Sequence, residues 1–169
     1  MDRHFELTDK FIINAFGAKL FQIKCTRKIK YADIGDLGGY IEKENNLSGD
    51  AWVSGNAQVS GDAQVSGDAQ VSGDAWVYGN AQVYGNAWVY GNAWVSNDNE
   101  HCGFDCFGSA NRHTHSYKTK SGKIEITCGC FRGSIEEFEK QIKETHRGNE
   151  FERQYMAIVE VIKIKFGLK

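Results

Sequence analysis

The chain contains no proline, has no long apolar run and carries almost no net charge. Its 20 Lys and Arg residues nearly balance 22 Asp and Glu residues, so the formal net charge is −2 and no basic field attracts nucleic acid or an anionic membrane. No apolar run approaches the roughly 20 residues of a membrane helix, and the amino terminus lacks the basic-then-apolar order of a signal peptide. We therefore expect a soluble, cytoplasmic protein that binds neither membranes nor nucleic acid directly.

Cysteine is infrequent, and its five residues form an odd set. In a chain expected to be intracellular, this favours reduced thiols or metal ligands over a disulfide framework. Cys102 and Cys106 have the separation of a structural zinc pair, whereas Cys128 and Cys130 are closer together than such pairs usually are. Free thiols packed as small apolar groups are the simpler interpretation. We predict no metal and no other cofactor, and these four cysteines are the candidate ligands if a metal is bound.

What the sequence does have is a six-residue repeat, which runs without a break from Gly49 to Ser96. Each unit reads Gly, Asn or Asp, Ala, any residue, Val, then Ser or Tyr, so Ala and Val have the spacing of side chains on one face of a strand. Gly followed by Asn or Asp forms the turn between strands. Three such sides close a triangle of about 18 residues, and successive coils stack about 4.8 Å apart. The pattern predicts a parallel β-helix of about three coils, and its six-residue period resembles that of the left-handed type.

Outward-facing aromatic residues distinguish the faces of this predicted β-helix. A column repeats every 18 residues, so Trp52 aligns with Trp88 and Trp76 aligns with Trp94, while the third face carries glutamine. Exposed aromatic columns indicate contact, most simply a homotrimer around an axis parallel to the β-helix. A surface for another partner or ligand, and plain stacking along the columns, are the alternatives. The predicted surface consists of Trp52, Trp76, Trp88, Trp94, Tyr78, Tyr84 and Tyr90.

The segments on either side of the repeat predict two further parts. Residues 1–42 contain an alternating strand pattern and should cap the open edge of the β-helix, with Gly38 and Gly39 as a tight turn. Residues 99–169 contain a hairpin signal, a helix that opens with a capping box at Ser134, and a second amphipathic helix. The predicted fold is mainly β: an amino-terminal β cap, a short left-handed β-helix over residues 43–98, and a small carboxy-terminal α+β domain.

A pocket for an anionic ligand is predicted in the carboxy-terminal domain. Polar and cationic residues lead into the predicted hairpin, and others flank a helix whose amino end favours phosphate. Ordinary surface and capping roles are the alternative. The candidate residues are Ser109, Arg112, Thr114, Tyr117, Arg132 and His146.

Two stretches carry a resemblance to known proteins. The run IGDLGGYIEKENNLSGDAWVSGNAQVSGDA resembles the opening of hexapeptide-repeat proteins of phages and prophages. The run from YKTKSGKIEITCGCFRG to YMAIVEVIKI, residues 117–164, resembles an uncharacterised carboxy-terminal domain of such proteins, with a Gly-Cys-Phe element at residues 129–131. The resemblance implies a viral accessory protein with a β-helical stalk and no established reaction.

We therefore expect a non-enzymatic phage accessory protein that acts in the cytoplasm of the host. It would be a homo-oligomer, most simply a trimer, and its terminal domain would bind and neutralise a host factor, either a protein or a nucleotide signal of a defence system. A hexapeptide-repeat acyltransferase is one alternative, for which His101 is the nearest candidate because the repeat contains no histidine. A structural component of the virion is the other.

Overall fold

The computed structural model describes residues 3–168, and the chain divides into two compact units between Asp98 and Asn99. The first unit contains strands β1 to β11 and the second contains strands β12 to β15 with both α-helices. No α-helix among the described residues has the length and apolar content needed to cross a bilayer.

Each six-residue repeat contributes one two-residue strand to a β-solenoid of about three turns. Strands three repeats apart pair in parallel, so Trp52 lies opposite Gln70, and Gln58 lies opposite Trp76. The repeat strands are β4 (Trp52–Val53), β5 (Gln58–Val59), β6 (Gln64–Val65), β7 (Gln70–Val71), β8 (Trp76–Val77), β9 (Gln82–Val83), β10 (Trp88–Val89) and β11 (Trp94–Val95). The prediction of a mainly β fold with a solenoid, an amino-terminal strand region and a small α+β region is confirmed, while the left-handed sense stays a prediction.

Small and β-branched residues fill the interior of the solenoid. Every Ala and Val of the eight repeats is at most 5% exposed. The corners require glycine for two reasons, as Gly49 shows. Its φ of +68° is one that side chains rarely adopt, and a Cβ there would lie 2.9 Å from the backbone nitrogen of Gly67 in the next turn. The six-residue period therefore reflects both the buried Ala and Val side chains and the glycine turns.

The amino-terminal strands extend one face of the solenoid. They are β1 (Phe5–Ile13), β2 (Lys19–Cys25) and β3 (Leu37–Ile41). Strand β3 pairs in parallel with β5, and β2 and β1 continue the same sheet as antiparallel strands. The expected tight turn at Gly38 and Gly39 is wrong, because both lie inside β3. A Cβ on Gly38 would lie 2.6 Å from the carbonyl oxygen of Val53, so glycine permits the close approach of the two backbones.

The first solenoid turn is completed by a short irregular segment. A 3-10 helix spans Glu44–Asn46, and Leu47 then bridges in parallel to Val65. The Asn46 side chain is buried, and its amide donates to the carbonyl oxygens of Gly61 and Ala63. This segment therefore acts as the first side of the third face.

The second unit packs two helices against one face of a four-stranded antiparallel sheet. Its elements are β12 (His101–Phe107), β13 (Arg112–Lys118), β14 (Ile124–Cys128), β15 (Phe131–Gly133), α1 (Ile135–Thr145) and α2 (Glu150–Phe166). The predicted capping box is present, since the Ser134 side chain accepts from the Glu137 N–H. The core is formed by Ile126, Cys128, Ile135, Phe138, Ile142, Tyr155, Ile158, Val159 and Ile162.

Candidate ligand-binding site

A cavity of about 470 Å³ lies in the second unit, between one edge of the sheet and the two helices. Its lining includes three residues of cationic or ionisable type, which are Arg112 at the start of β13, Arg132 in β15 and His146 at the end of α1. Among the described residues, none of those lining the cavity is acidic. The cavity therefore has the electrostatic character of a site for an anion.

The sheet and a glycine set the position of the Arg112 side chain. Strand pairing places Thr114 opposite Cys128, so Arg112 lies beside the turn that follows β14. Gly129 in that turn has a φ of +60°, and a Cβ on it would lie 2.6 Å from Nη1 of Arg112. Glycine therefore supplies the space that the guanidinium group occupies.

A carboxylate outside the lining orients the second arginine. Nε of Arg132 donates to Glu125 Oε2 over 2.9 Å, so this guanidinium group lies with Glu125 on the face of the sheet opposite to Phe131 and the helices. The hydroxyl of Tyr117 donates to the same oxygen over 3.4 Å. Burial, reinforced by the Glu125 charge, raises the pKa of Tyr117 well above its usual value, so the phenol stays protonated.

Aromatic rings form the floor of the cavity. Tyr155 is buried, stacks on the His146 ring with centroids 5.4 Å apart, and meets the Phe138 ring edge-on at 5.8 Å. Its hydroxyl oxygen lies 3.9 Å from Sγ of Cys128. Burial raises the pKa of Tyr155 to about 12, with the neighbouring Cys128 as a lesser cause, so its hydroxyl is neutral near physiological pH.

The structure brings together only part of the predicted anion site. Arg112, Arg132 and His146 line the cavity, whereas Ser109 is exposed in the loop between β12 and β13. Thr114 and Tyr117 are fully buried on opposite faces of β13 and bond to Cys128 and Glu125.

The amino end of α1 is not part of the cavity, contrary to the expectation of a phosphate site there. Its own capping box occupies it, because the Glu137 carboxylate accepts from the Ser134 N–H over 2.8 Å. The cavity instead follows the later turns of α1, where Gln141 and Thr145 add polar groups. Sequence reasoning missed Tyr155 and Phe138 as site residues, because helical spacing identifies them only as core.

The cysteines are all free thiols. Cys128 and Cys130 line the cavity, while Cys106 is exposed in an irregular part of β12. Sγ of Cys102 lies 3.0 Å from the Ser116 hydroxyl oxygen, and burial raises the pKa of this thiol. Within residues 3–168, no three His, Cys, Asp or Glu side chains lie close enough together to hold a metal ion.

The aromatic columns of the solenoid are partly covered by the first unit itself. Trp52 is only 4% exposed and lies near the ring of His4, so the expectation that it faces outward to a partner is wrong. Burial lowers the pKa of His4, whose Nε2 lies 2.8 Å from the carbonyl oxygen of Ala51. His4, immediately before β1, therefore lies against the start of this column.

A second column is covered by the turn between β1 and β2. The Phe16 ring from that turn lies 5.8 Å from Trp76, 5.1 Å from Tyr78 and 6.5 Å from Trp94, measured between centroids. Exposure of the predicted surface is greatest in the last turn of the solenoid. There Tyr84 is well exposed, and Trp88 and Tyr90 are about one third exposed.

His101, the candidate of the acyltransferase alternative, begins β12 in the second unit. Its ring is buried, and Nδ1 lies 3.1 Å from Nε2 of His115.

Two segments of the chain match a known family of repeats. Residues 63–79 and 81–97 match the family model described as YdcK beta solenoid repeat. No curated protein matches the chain. Both matching segments lie in the stacked repeats, outside the cavity, so the likeness concerns the solenoid and identifies the chain as a protein with a β-solenoid repeat.

Proposed function

We propose that this is a non-enzymatic binding protein that holds an anionic ligand of the nucleotide class in the cavity of its second unit. The observation that carries the proposal is that Arg112 and His146 line a cavity of about 470 Å³ in which, over the part of the chain that the structure describes, no lining residue is acidic.

The size and the lining of the cavity suit such a ligand. Pockets for small molecules commonly have volumes of about 300–1,000 Å³ and combine apolar walls with a few polar groups. Phe131, Phe138 and Tyr155 contribute aromatic surface for a base, while the Arg112 guanidinium group suits a phosphate. Gln141 and Thr145 add hydrogen-bonding groups along α1. The cavity thus offers complementary partners for both halves of a nucleotide.

The chemistry of these groups favours retention of the ligand over turnover. A guanidinium group remains protonated at neutral pH and binds a phosphate through two parallel hydrogen bonds. The pKa of Tyr155, raised to about 12, keeps this hydroxyl a neutral donor or acceptor. The Arg112 guanidinium group and the Tyr155 hydroxyl therefore bind and orient an anion without exchanging protons near pH 7.

The biological role we propose follows from the resemblance to phage and prophage proteins. The Gly-Cys-Phe element at residues 129–131 belongs to the proposed site, because Gly129 makes room for Arg112, and Cys130 and Phe131 line the cavity. We propose that the protein is a phage accessory protein that sequesters a nucleotide signal of host defence. The solenoid would serve as a rigid carrier, and a homo-oligomer would display several cavities on one particle.

Isothermal titration calorimetry of the full chain with adenosine monophosphate, and with uncharged adenosine as the control ligand, tests the proposal. We expect the nucleotide to bind and adenosine to bind at least about tenfold more weakly, because adenosine lacks the phosphate. Arg112→Gln should weaken nucleotide binding by a similar factor. Arg153→Gln removes an exposed arginine of α2 outside the cavity and should have no effect. Equal binding of the two ligands, or no loss in Arg112→Gln, would contradict the proposal.

A further inference from the structure

Helix α2 has two apolar faces, and only one of them packs in the core of the second unit. Tyr155, Ile158 and Ile162 are buried in that core. On the opposite side of the helix, Val161 is 48% exposed and Ile164 is 70% exposed. A helix that packs on one side only normally carries polar residues on the other. We infer that this outward face packs in parallel against α2 of a second copy of the chain.

The spacing of the exposed apolar residues is that of a helix–helix seam. Ala157, Val161 and Ile164 are four and three residues apart, which is the alternation of the inner positions of a coiled coil. Leu168, four residues further on and beyond the helix cap at Gly167, is also exposed. Ala157 is small, so it permits close approach of a second helix at the start of the seam.

Charges beside the seam identify the occupant as a second copy in parallel orientation. Glu160 and Lys165 are both exposed, and at 3.6 residues per turn they lie about 70° to either side of the seam. In a parallel symmetric pair, one flank of each helix faces the other flank of its partner. Glu160 of each copy then faces Lys165 of the other, as charged residues do across parallel coiled coils.

The antiparallel alternative is less favourable on the same grounds. An antiparallel pair centred on Val161 covers Ile164 with Ala157 of the other helix, but it brings Glu160 against Glu160. Like charges at such positions are destabilising. The parallel arrangement covers Ile164 and pairs the opposite charges at the same time.

Sedimentation equilibrium of the full chain over a range of concentrations tests the seam. We expect a reversible dimer with a dissociation constant on the order of micromolar, since the seam is small. Ile164→Lys should be monomeric at every concentration. Ile34→Lys is the matched control, because Ile34 is also 70% exposed but lies in the first unit, and it should dimerise like the wild type. A wild-type chain that stays monomeric, or an oligomer unaffected by Ile164→Lys, would overturn the inference.

Charge reversal tests the parallel orientation. Glu160→Lys alone and Lys165→Glu alone each place like charges across the pair, and each should self-associate about tenfold more weakly than the wild type. An equimolar mixture of the two variants restores opposite charges on both sides and should form the heterodimer. Thermal unfolding followed by circular dichroism establishes that both variants are folded. A mixture that associates no better than its components would refute the parallel pairing, and this result is independent of any ligand in the cavity.

Discussion

At the scale of single residues, one glycine holds the floor of the cavity in place. Gly108 lies in the loop after β12, and a Cβ on it would lie 2.0 Å from the hydroxyl oxygen of Tyr155. Its N–H also donates to the side-chain oxygen of Gln154 over 2.9 Å. The loop thereby fixes Tyr155, which in turn stacks on His146. Gly108 thus controls the position of His146, which lies 38 positions further along the chain.

Gly108→Ala should therefore destabilise the second unit by more than backbone strain alone. Gly108 has a φ of +73°, so alanine there is strained, and its Cβ would in addition displace Tyr155. Gly122→Ala is the matched control, because Gly122 has a φ of +80° with no atom within 4 Å of a Cβ. We expect Gly108→Ala to cost about 1–3 kcal/mol more than the control, measured by urea unfolding followed by circular dichroism. Equal losses of unfolding free energy in the two variants would show that the clash with Tyr155 adds no destabilisation.

At the scale of elements, sequence periodicity predicts the solenoid well because all eight repeats share one residue pattern. Ala and Val recur at strand spacing and glycine marks every corner, so core and turn agree in each unit. The sequence does not predict strand β3, because Gly38 and Gly39 have the composition of a turn. They are instead part of a strand whose backbone approaches the neighbouring backbone closely. A Cβ on Gly39 would lie 2.7 Å from the carbonyl oxygen of Ala57, so only glycine fits there. Close approach of two backbones is a tertiary requirement that local propensity does not contain.

The sequence predicts charged residues of the cavity but not the aromatic residues of its floor. Arg112, Arg132 and His146 stand out in the sequence as anion ligands, and the fold brings Arg112 and His146 to the cavity while the Arg132 guanidinium pairs with Glu125. Tyr155 is 43 positions from Arg112 and reads as an apolar residue of a helix. Only the packing of α2 on the sheet shows that its ring forms the cavity floor. Pairings between distant elements therefore limit how much of a site the sequence can predict.

The turn between β1 and β2 provides a test at this same scale. Phe16 covers Trp76 and Trp94, so Phe16→Ala should increase the solvent exposure of these indoles. We expect a red shift of tryptophan emission and a loss of about 0.5–1.5 kcal/mol in the free energy of unfolding, the usual value of aromatic pairs. Ile13→Ala is the control, because Ile13 is comparably exposed at the end of β1. An unchanged emission spectrum in Phe16→Ala would show that the ring does not cover the column in solution.

At the scale of the whole molecule, the two units carry different spectroscopic probes. All four tryptophans lie in the first unit, and both α-helices lie in the second. Tryptophan emission therefore reports on the solenoid, while the helical signal in circular dichroism reports on the second unit. Because each unit has its own buried core, we expect a core substitution to act mainly on its own unit.

Ile162→Ala and Val71→Ala make this expectation testable. Both side chains are fully buried, Ile162 in the second unit and Val71 in the solenoid. Ile162→Ala should remove about 2–5 kcal/mol from the stability of the second unit and lower the midpoint of the helical signal more than that of tryptophan emission. Val71→Ala should lower the midpoint of tryptophan emission more than that of the helical signal. If each substitution shifts both transitions equally, the two units unfold as one cooperative structure, and the solenoid then stabilises the cavity directly instead of only carrying it.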